Sequence, residues 1–219
     1  MTASGAGSPY VQLLKQMGAG MAESGQRVNY VDVAPMTAKD PTGSAVTALA
    51  LPMIFGGMAS AVVFSRVFKN SRIKQLIGAL GVAILGGLVA SSILYFGFDA
   101  LEANFWPTTG VIILGIAAIS TTVLGLNSLL GIAGLGLGAV TMLFISNPLS
   151  GMATGMHWLP SPWGTIGQYL PLGAAGTALR SSAFFDGAGM TNSVIVLLCW
   201  IIAGITLAAA GAWRARRAR

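Results

Sequence analysis

Between Ala103 and Leu179 the only ionisable side chain besides Tyr169 is His157, and within that stretch Thr108 to Ser146 is apolar except for small hydroxyl residues and Asn127. A helix needs about 20 apolar residues to cross a bilayer core, and single spans stop near about 25. The run is therefore too long for one crossing. The whole chain follows the same pattern, with 8% charged residues, 54% hydrophobic residues and a mean hydropathy of +0.76, whereas charged residues make up about a quarter of a soluble domain. This is the composition of an integral membrane protein, all-α, with its spanning helices gathered into a bundle.

Residues 1–43 form a mixed, polar tail. Ser8 and Pro9 suit an N-cap and first helical residue, and Val11, Leu14, Met17 and Met21 follow at helical spacing, which predicts a short amphipathic helix. Lying on a lipid surface is an alternative role for that piece, although it carries only Lys15 as a basic residue. The alternation through Val28, Tyr30, Val31 and Val33 predicts a short strand that Pro35 stops. No basic region runs directly into an apolar one at the N-terminus, so no signal peptide is expected.

Five spans are expected after the tail, at about 44–65, 75–98, 108–126, 131–147 and 190–213, within a transmembrane domain covering 44–219. Pro52 predicts a kink in the first. Trp106 and Pro107 read as an interfacial turn after Asp99 and Glu102, and a tight hairpin near Leu126–Gly131 divides the long apolar run. That division follows from charge. Arg66, Lys69, Arg72 and Lys74 form one basic block and Arg214, Arg216, Arg217 and Arg219 another, and both belong in the cytoplasm by the positive-inside rule. They share a side only if an even number of crossings separates them, so the run from 108 to 146 holds two. Eight basic and no acidic residues then lie inside, while Lys15, Arg27, Lys39, Arg180 and all six acidic residues lie outside with the N-terminus. Clustering beside spans, rather than along a folded face, makes the net charge of +6 a topological signal and argues against nucleic-acid binding.

Asn147 to Asp186 reads NPLSGMATGMHWLPSPWGTIGQYLPLGAAGTALRSSAFFD. Pro148, Pro160, Pro162 and Pro171 forbid one continuous helix. The segment is nearly uncharged, which is unusual for a loop wholly in water. Residues 148–186 are therefore expected to fold back at the membrane boundary as a re-entrant helical segment before the last span. Trp158, Trp163 and Tyr169, with Arg180 and Asp186, are the candidate site residues of this segment, and interfacial anchoring is the role the aromatics suit by themselves. Arg180 and Asp186 also read as boundary markers or a local ion pair.

Gly131, Gly134, Gly136 and Gly138 lack the preceding strand, the downstream acid and the Lys-Ser/Thr pair that phosphate-binding loops need. Their expected role is close helix packing in lipid. His157, Asp99, Glu102 and Asp186 have no metal-ligand spacing, so neither a metal centre nor a catalytic site is expected. Cys199 lies in an apolar run and is expected to be a small buried hydrophobe.

The lead-in VDVAPMTAKDPTG, the AGLGLG hairpin, NPLSG, and WGTIGQYLPLGAAGTALRSSAFFDG before a last span with an arginine tail resemble the C-terminal half of actinobacterial permeases of type-2 ATP-binding cassette exporters. The resemblance covers roughly residues 28–219. In that family two permease units enclose the translocation path, and separate ATP-binding subunits engage a cytoplasmic coupling helix. Here Arg66, Phe68, Lys69, Arg72 and Lys74 hold the matching position, and Pro148–Asp186 matches the family's broken outer helices, which makes Trp158, Trp163, Tyr169, Arg180 and Asp186 candidates for an exit gate. The resemblance implies a permease subunit in a bacterial plasma membrane that exports an amphiphilic or lipophilic compound. It also implies a separate ATP-binding subunit and a second permease chain or homodimer as partners, with no nucleotide site or cofactor in this chain. The family's first span has no counterpart before residue 28, so the chain is expected to be a shortened homologue or to pair with a polypeptide supplying that span. A non-transporting accessory subunit of a larger membrane complex is the alternative.

Overall fold

The computed structural model describes residues 8–29, 31–32, 37, 39–40, 43–100 and 105–217. Among these, five helices are long and apolar enough to cross a membrane: Ser44–Val67, Arg72–Gly97, Phe105–Leu130, Ile132–Leu149 and Thr191–Arg217. The protein is an all-α, multi-pass membrane bundle with broken helices before the last span.

The tail helix α1 (Ser8–Glu23) forms where the apolar spacing predicts it. The strand is not seen among the described residues of its stretch: residues 28, 29 and 31 have no regular structure and Asp32 makes a single bridge. Tyr30, Val33 and the stop at Pro35 lie outside the described residues, as do Glu102 and Arg219.

The first span is α2 (Ser44–Ala48) and α3 (Ala50–Val67), interrupted at Leu49. Pro52 causes the interruption, because it has no amide to donate to the carbonyl four residues back and its ring crowds that carbonyl. Buried Asp40 satisfies the free amides at the start of α2: Oδ1 accepts from Ser44 N and Oγ at 2.9 Å each, and Oδ2 accepts from Ala45 N at 2.9 Å. The second span is α4 (Arg72–Ser92), which widens into a π-helical turn over Ile93–Gly97.

The third span, α5 (Phe105–Leu130), is the axis of the bundle. Of its most apolar stretch 78% is buried, against 22–39% in the other spans, and it packs against α3, α4 and α10 (Thr191–Arg217). Trp106 and Pro107 belong to its first turn rather than to a separate interfacial turn, a position proline tolerates because the first amides of a helix have no intrahelical partner. The hairpin after α5 is also tighter than expected. The helix runs on to Leu130, and Gly131 alone turns the chain, with φ +62°, its amide 2.9 Å from the Asn127 carbonyl. The fourth span follows as α6 (Ile132–Ala139), a π-helical stretch Val140–Ser146 and the short α7 (Asn147–Leu149).

Registers between helices fix their directions. Along α5 and α10, Thr121 and Gly125 meet Gly204, and Ser128 meets Gly211, so the two run parallel. Met53 meets Gly115 and Gly57 meets Ile116 and Ile119, so α3 runs with them. The C-terminal ends of α3, α5 and α10 therefore share one end of the bundle. The α5–α10 approach depends on a missing side chain, since a Cβ at Gly204 would lie 2.6 Å from the Thr121 carbonyl oxygen. In lipid, where apolar surface gains nothing by hiding from hydrocarbon, this closeness is what holds two spans together. Ser128 Oγ adds a bond to the Ala208 carbonyl at 3.1 Å.

Candidate functional site

Between the fourth and fifth spans, the 150–190 segment forms short helices: a 3₁₀ turn at Met156–Trp158, α8 (Trp163–Gln168) and α9 (Pro171–Phe184). At about 1.5 Å per residue α9 is too short to cross a bilayer. Yet Pro171–Gly176, Ala178, Leu179, Ser181 and Ser182 are buried, and the helix packs against α5 and α10. It is a re-entrant piece seated in the bundle.

Polar side chains lock it there. Pro171 starts α9, and the Leu172 amide donates to buried Ser146 Oγ at 3.2 Å, which joins the fourth span to the fold-back. Gln168 accepts from Thr177 Oγ1 at 2.5 Å and donates Nε2 to the Ser150 carbonyl at 3.4 Å. Thr108 and Ser182 share a hydrogen bond of 3.2 Å between α5 and α9, and Trp200 Nε1 donates to the Tyr169 carbonyl at 2.7 Å from α10.

Arg180 is the one cation within this network. Its Nη1 donates to the Gly151 carbonyl at 3.1 Å and its Nη2 to the Met152 carbonyl, which also accepts from Thr47 Oγ1 at 3.2 Å. Desolvation by burial lowers its pKa from the ordinary guanidinium value, but a guanidinium keeps its proton in proteins. Arg180 thus clamps α9 to the 150s loop, which Thr47 in turn ties to α2. Asp186 is exposed at the end of α9 with φ 49°, a left-handed position that aspartate tolerates, and the Gly187 amide closes the helix end on the Ser181 carbonyl at 2.8 Å.

Trp158, Trp163 and Tyr169 are 46%, 51% and 66% exposed. Their rings lie largely at the surface of this chain. Ser146, Gln168, Thr177, Thr47 and Trp200 were not among the residues singled out from the sequence. Their signal was polarity at membrane depth, where an uncompensated hydroxyl or amide is costly.

The opposite end carries the basic residues. Arg66 closes α3, Arg72 and Lys74 open α4, and only the turn Phe68–Ser71 joins them. No separate helix stands at the position that matches the coupling helix the resemblance implies: Phe64 and Phe68 stack at 5.9 Å, and buried Gln75 donates to the Phe68 carbonyl at 2.8 Å and accepts from Arg72 at 3.0 Å, so the chain reverses at once. Arg214, Arg216 and Arg217 lie in the last turn of α10, where cations suit the helix dipole, and the Arg217 guanidinium sits 3.6 Å from the Trp213 ring centroid.

The glycine stripe divides in two. Gly134 packs on the Leu126 carbonyl and Gly138 on Val123, whereas Gly136 faces open space and Gly131 is the hairpin turn. Residues two apart point to opposite sides of a helix, so only the pair at i and i+4 can share the contact. Cys199 is exposed on α10 rather than buried, because the face it occupies looks away from α5. Among the described residues no three His, Cys, Asp or Glu side chains come together as a metal site. Comparison with protein-family models, curated proteins and solved structures found no match.

Proposed function

We propose that the chain is a permease-type subunit of an exporter in a bacterial plasma membrane, moving an amphiphilic or lipophilic compound outward with energy from ATP hydrolysed on a separate chain. Its partner across the path is a second permease chain or another copy of itself. One observation carries the reading: the parallel course of α3, α5 and α10 gathers Arg66, Lys69, Arg72, Lys74, Arg214, Arg216 and Arg217 at one end, opposite a broken fold-back clamped into the core. By the positive-inside rule that end faces the cytosol, where an ATPase would reach it, and the fold-back faces out. The outward-facing Trp158, Trp163 and Tyr169 then serve as interfacial anchors beside the exit.

The tight turn at Phe68–Ser71 favours a second reading, an accessory subunit without transport, because it offers a motor no helix of its own to push on. Purification from native membranes in mild detergent separates the two. The exporter reading expects a co-purifying ATPase that is lost when Arg66, Lys69 and Arg72 are changed to Glu while the protein remains inserted. Recovery with unrelated membrane proteins only, or an ATPase retained by the charge-reversed protein, would count against it.

A further inference from the structure

Between α3 and α4, on the fold-back half of the bundle, lies a cleft of about 250 Å³. Its floor is the buried trio Met53, Ile112 and Ile116, and its rim includes exposed Pro52, Val89 and Ile93, so it opens sideways between the first two spans rather than into the bundle. Three backbone features make room for it. The helix break caused by Pro52 lies on one wall, the π-helical turn begins at Ile93 on the other, and Gly56 and Gly86 contribute no side chain to either. The Lys39–Asp99 ion pair, 3.3 Å between Nζ and Oδ2, ties the segment before the first span to the turn after the second, closing the same two helices together above the cleft.

The lining is entirely apolar side chains and glycine. Water needs two to four polar partners to occupy such a space, and no polar side chain lines it. An empty cleft would leave its walls without dispersion contacts. Leu49 and Pro52 lie five to eight residues in from the start of the first span at Ser44, about 7–12 Å at a helical rise of about 1.5 Å per residue, which is inside the hydrocarbon. We infer that the cleft between α3 and α4 is a binding site for one acyl chain of a phospholipid from the leaflet on the fold-back side. The site depends on the membrane crossings alone, so it stands whether or not the chain exports anything.

The test uses the full chain reconstituted in phospholipid bilayers that contain a phospholipid with a photoreactive group on one acyl chain, with adducts mapped by peptide mass spectrometry. Adducts at Gly56, Val82 and Val89 should exceed several-fold those at Leu198, Ile202 and Ile205, which are exposed on α10 over a similar range of positions from the same end of the bundle. A Cβ at Gly56 meets nothing within 4 Å, so Gly56→Leu fills the cleft without a backbone clash and should remove the excess. Gly136→Leu, equally unobstructed but on the fourth span, should leave it intact. Val89→Phe fills the cleft from the α4 side if the first variant does not fold. Equal labelling of cleft and α10, labelling unchanged by either filling variant, or labelling of the cleft by a photoreactive single-chain amphiphile but not by the phospholipid would each overturn the assignment.

Discussion

Arg180 Nη1 donates to the Gly151 carbonyl at 3.1 Å across 29 positions of sequence, and this contact joins the helix seated in the bundle to the loop above it. A second donation, to Met152, makes the guanidinium a two-carbonyl fork. Hydrogen bonds from charged donors contribute about 1.5–3 kcal/mol each. Arg180→Ala should therefore cost about 3 kcal/mol of stability and open the 150s loop to proteolysis in detergent. Arg180→Lys should recover only part of this, since a point charge cannot reproduce the planar fork. Wild-type melting of Arg180→Ala would refute the clamp.

The α5–α10 contact makes a sharper demand. A side chain at Gly204 meets the Thr121 backbone, which cannot give way as a flexible side chain can. Overpacking costs about 1–3 kcal/mol in ordinary cores, and Gly204→Leu should reach at least the upper end of that range, read as a lower melting temperature or a broadened elution profile. Gly136→Leu should have no such effect.

Trp200 Nε1 and the Tyr169 carbonyl, 2.7 Å apart, predict a smaller and more local effect. Trp200→Phe should lower stability by about 1 kcal/mol, the net worth of one neutral hydrogen bond, and should raise hydrogen exchange in α8 before the rest of the bundle.

Two buried hydroxyls run the other way. Ser91 Oγ and Thr122 Oγ1 are enclosed with no hydrogen-bond partner. Removing an unsatisfied polar group relieves its desolvation penalty, so Ser91→Ala and Thr122→Val should melt at or above the wild-type temperature, by up to about 1 kcal/mol. A clear loss in either would mean that the hydroxyl has a partner in the membrane.

Charge and punctuation were the legible parts of the sequence. The two arginine- and lysine-rich blocks required an even number of crossings between them, the apolar run was too long for one, and the hairpin at Gly131 divides it into two. The prolines from Pro148 to Pro171 announced a broken fold-back, and Pro52 its interrupted helix. The inward face of each span was much harder to read. A soluble helix marks its core side by apolar spacing, but lipid is as apolar as a protein interior, so α5 and α10 look alike in composition while one is central and the other peripheral. For the same reason Gly134 could not be told from Gly136, nor could the cleft below Pro52 be foreseen. Arg180 was visible as an isolated charge, but its two carbonyl acceptors are backbone atoms that no side-chain pattern encodes.

The most direct measurement is cysteine accessibility in intact cells, in a Cys199→Ala background, with single cysteines at exposed Thr154 in the fold-back, Asn70 in the basic turn and Ala215 in the last turn of α10. A membrane-impermeant maleimide should label Thr154→Cys from outside and should reach Asn70→Cys and Ala215→Cys only after permeabilisation. Labelling of Asn70→Cys or Ala215→Cys in intact cells, with Thr154→Cys protected, would invert the molecule and contradict the account.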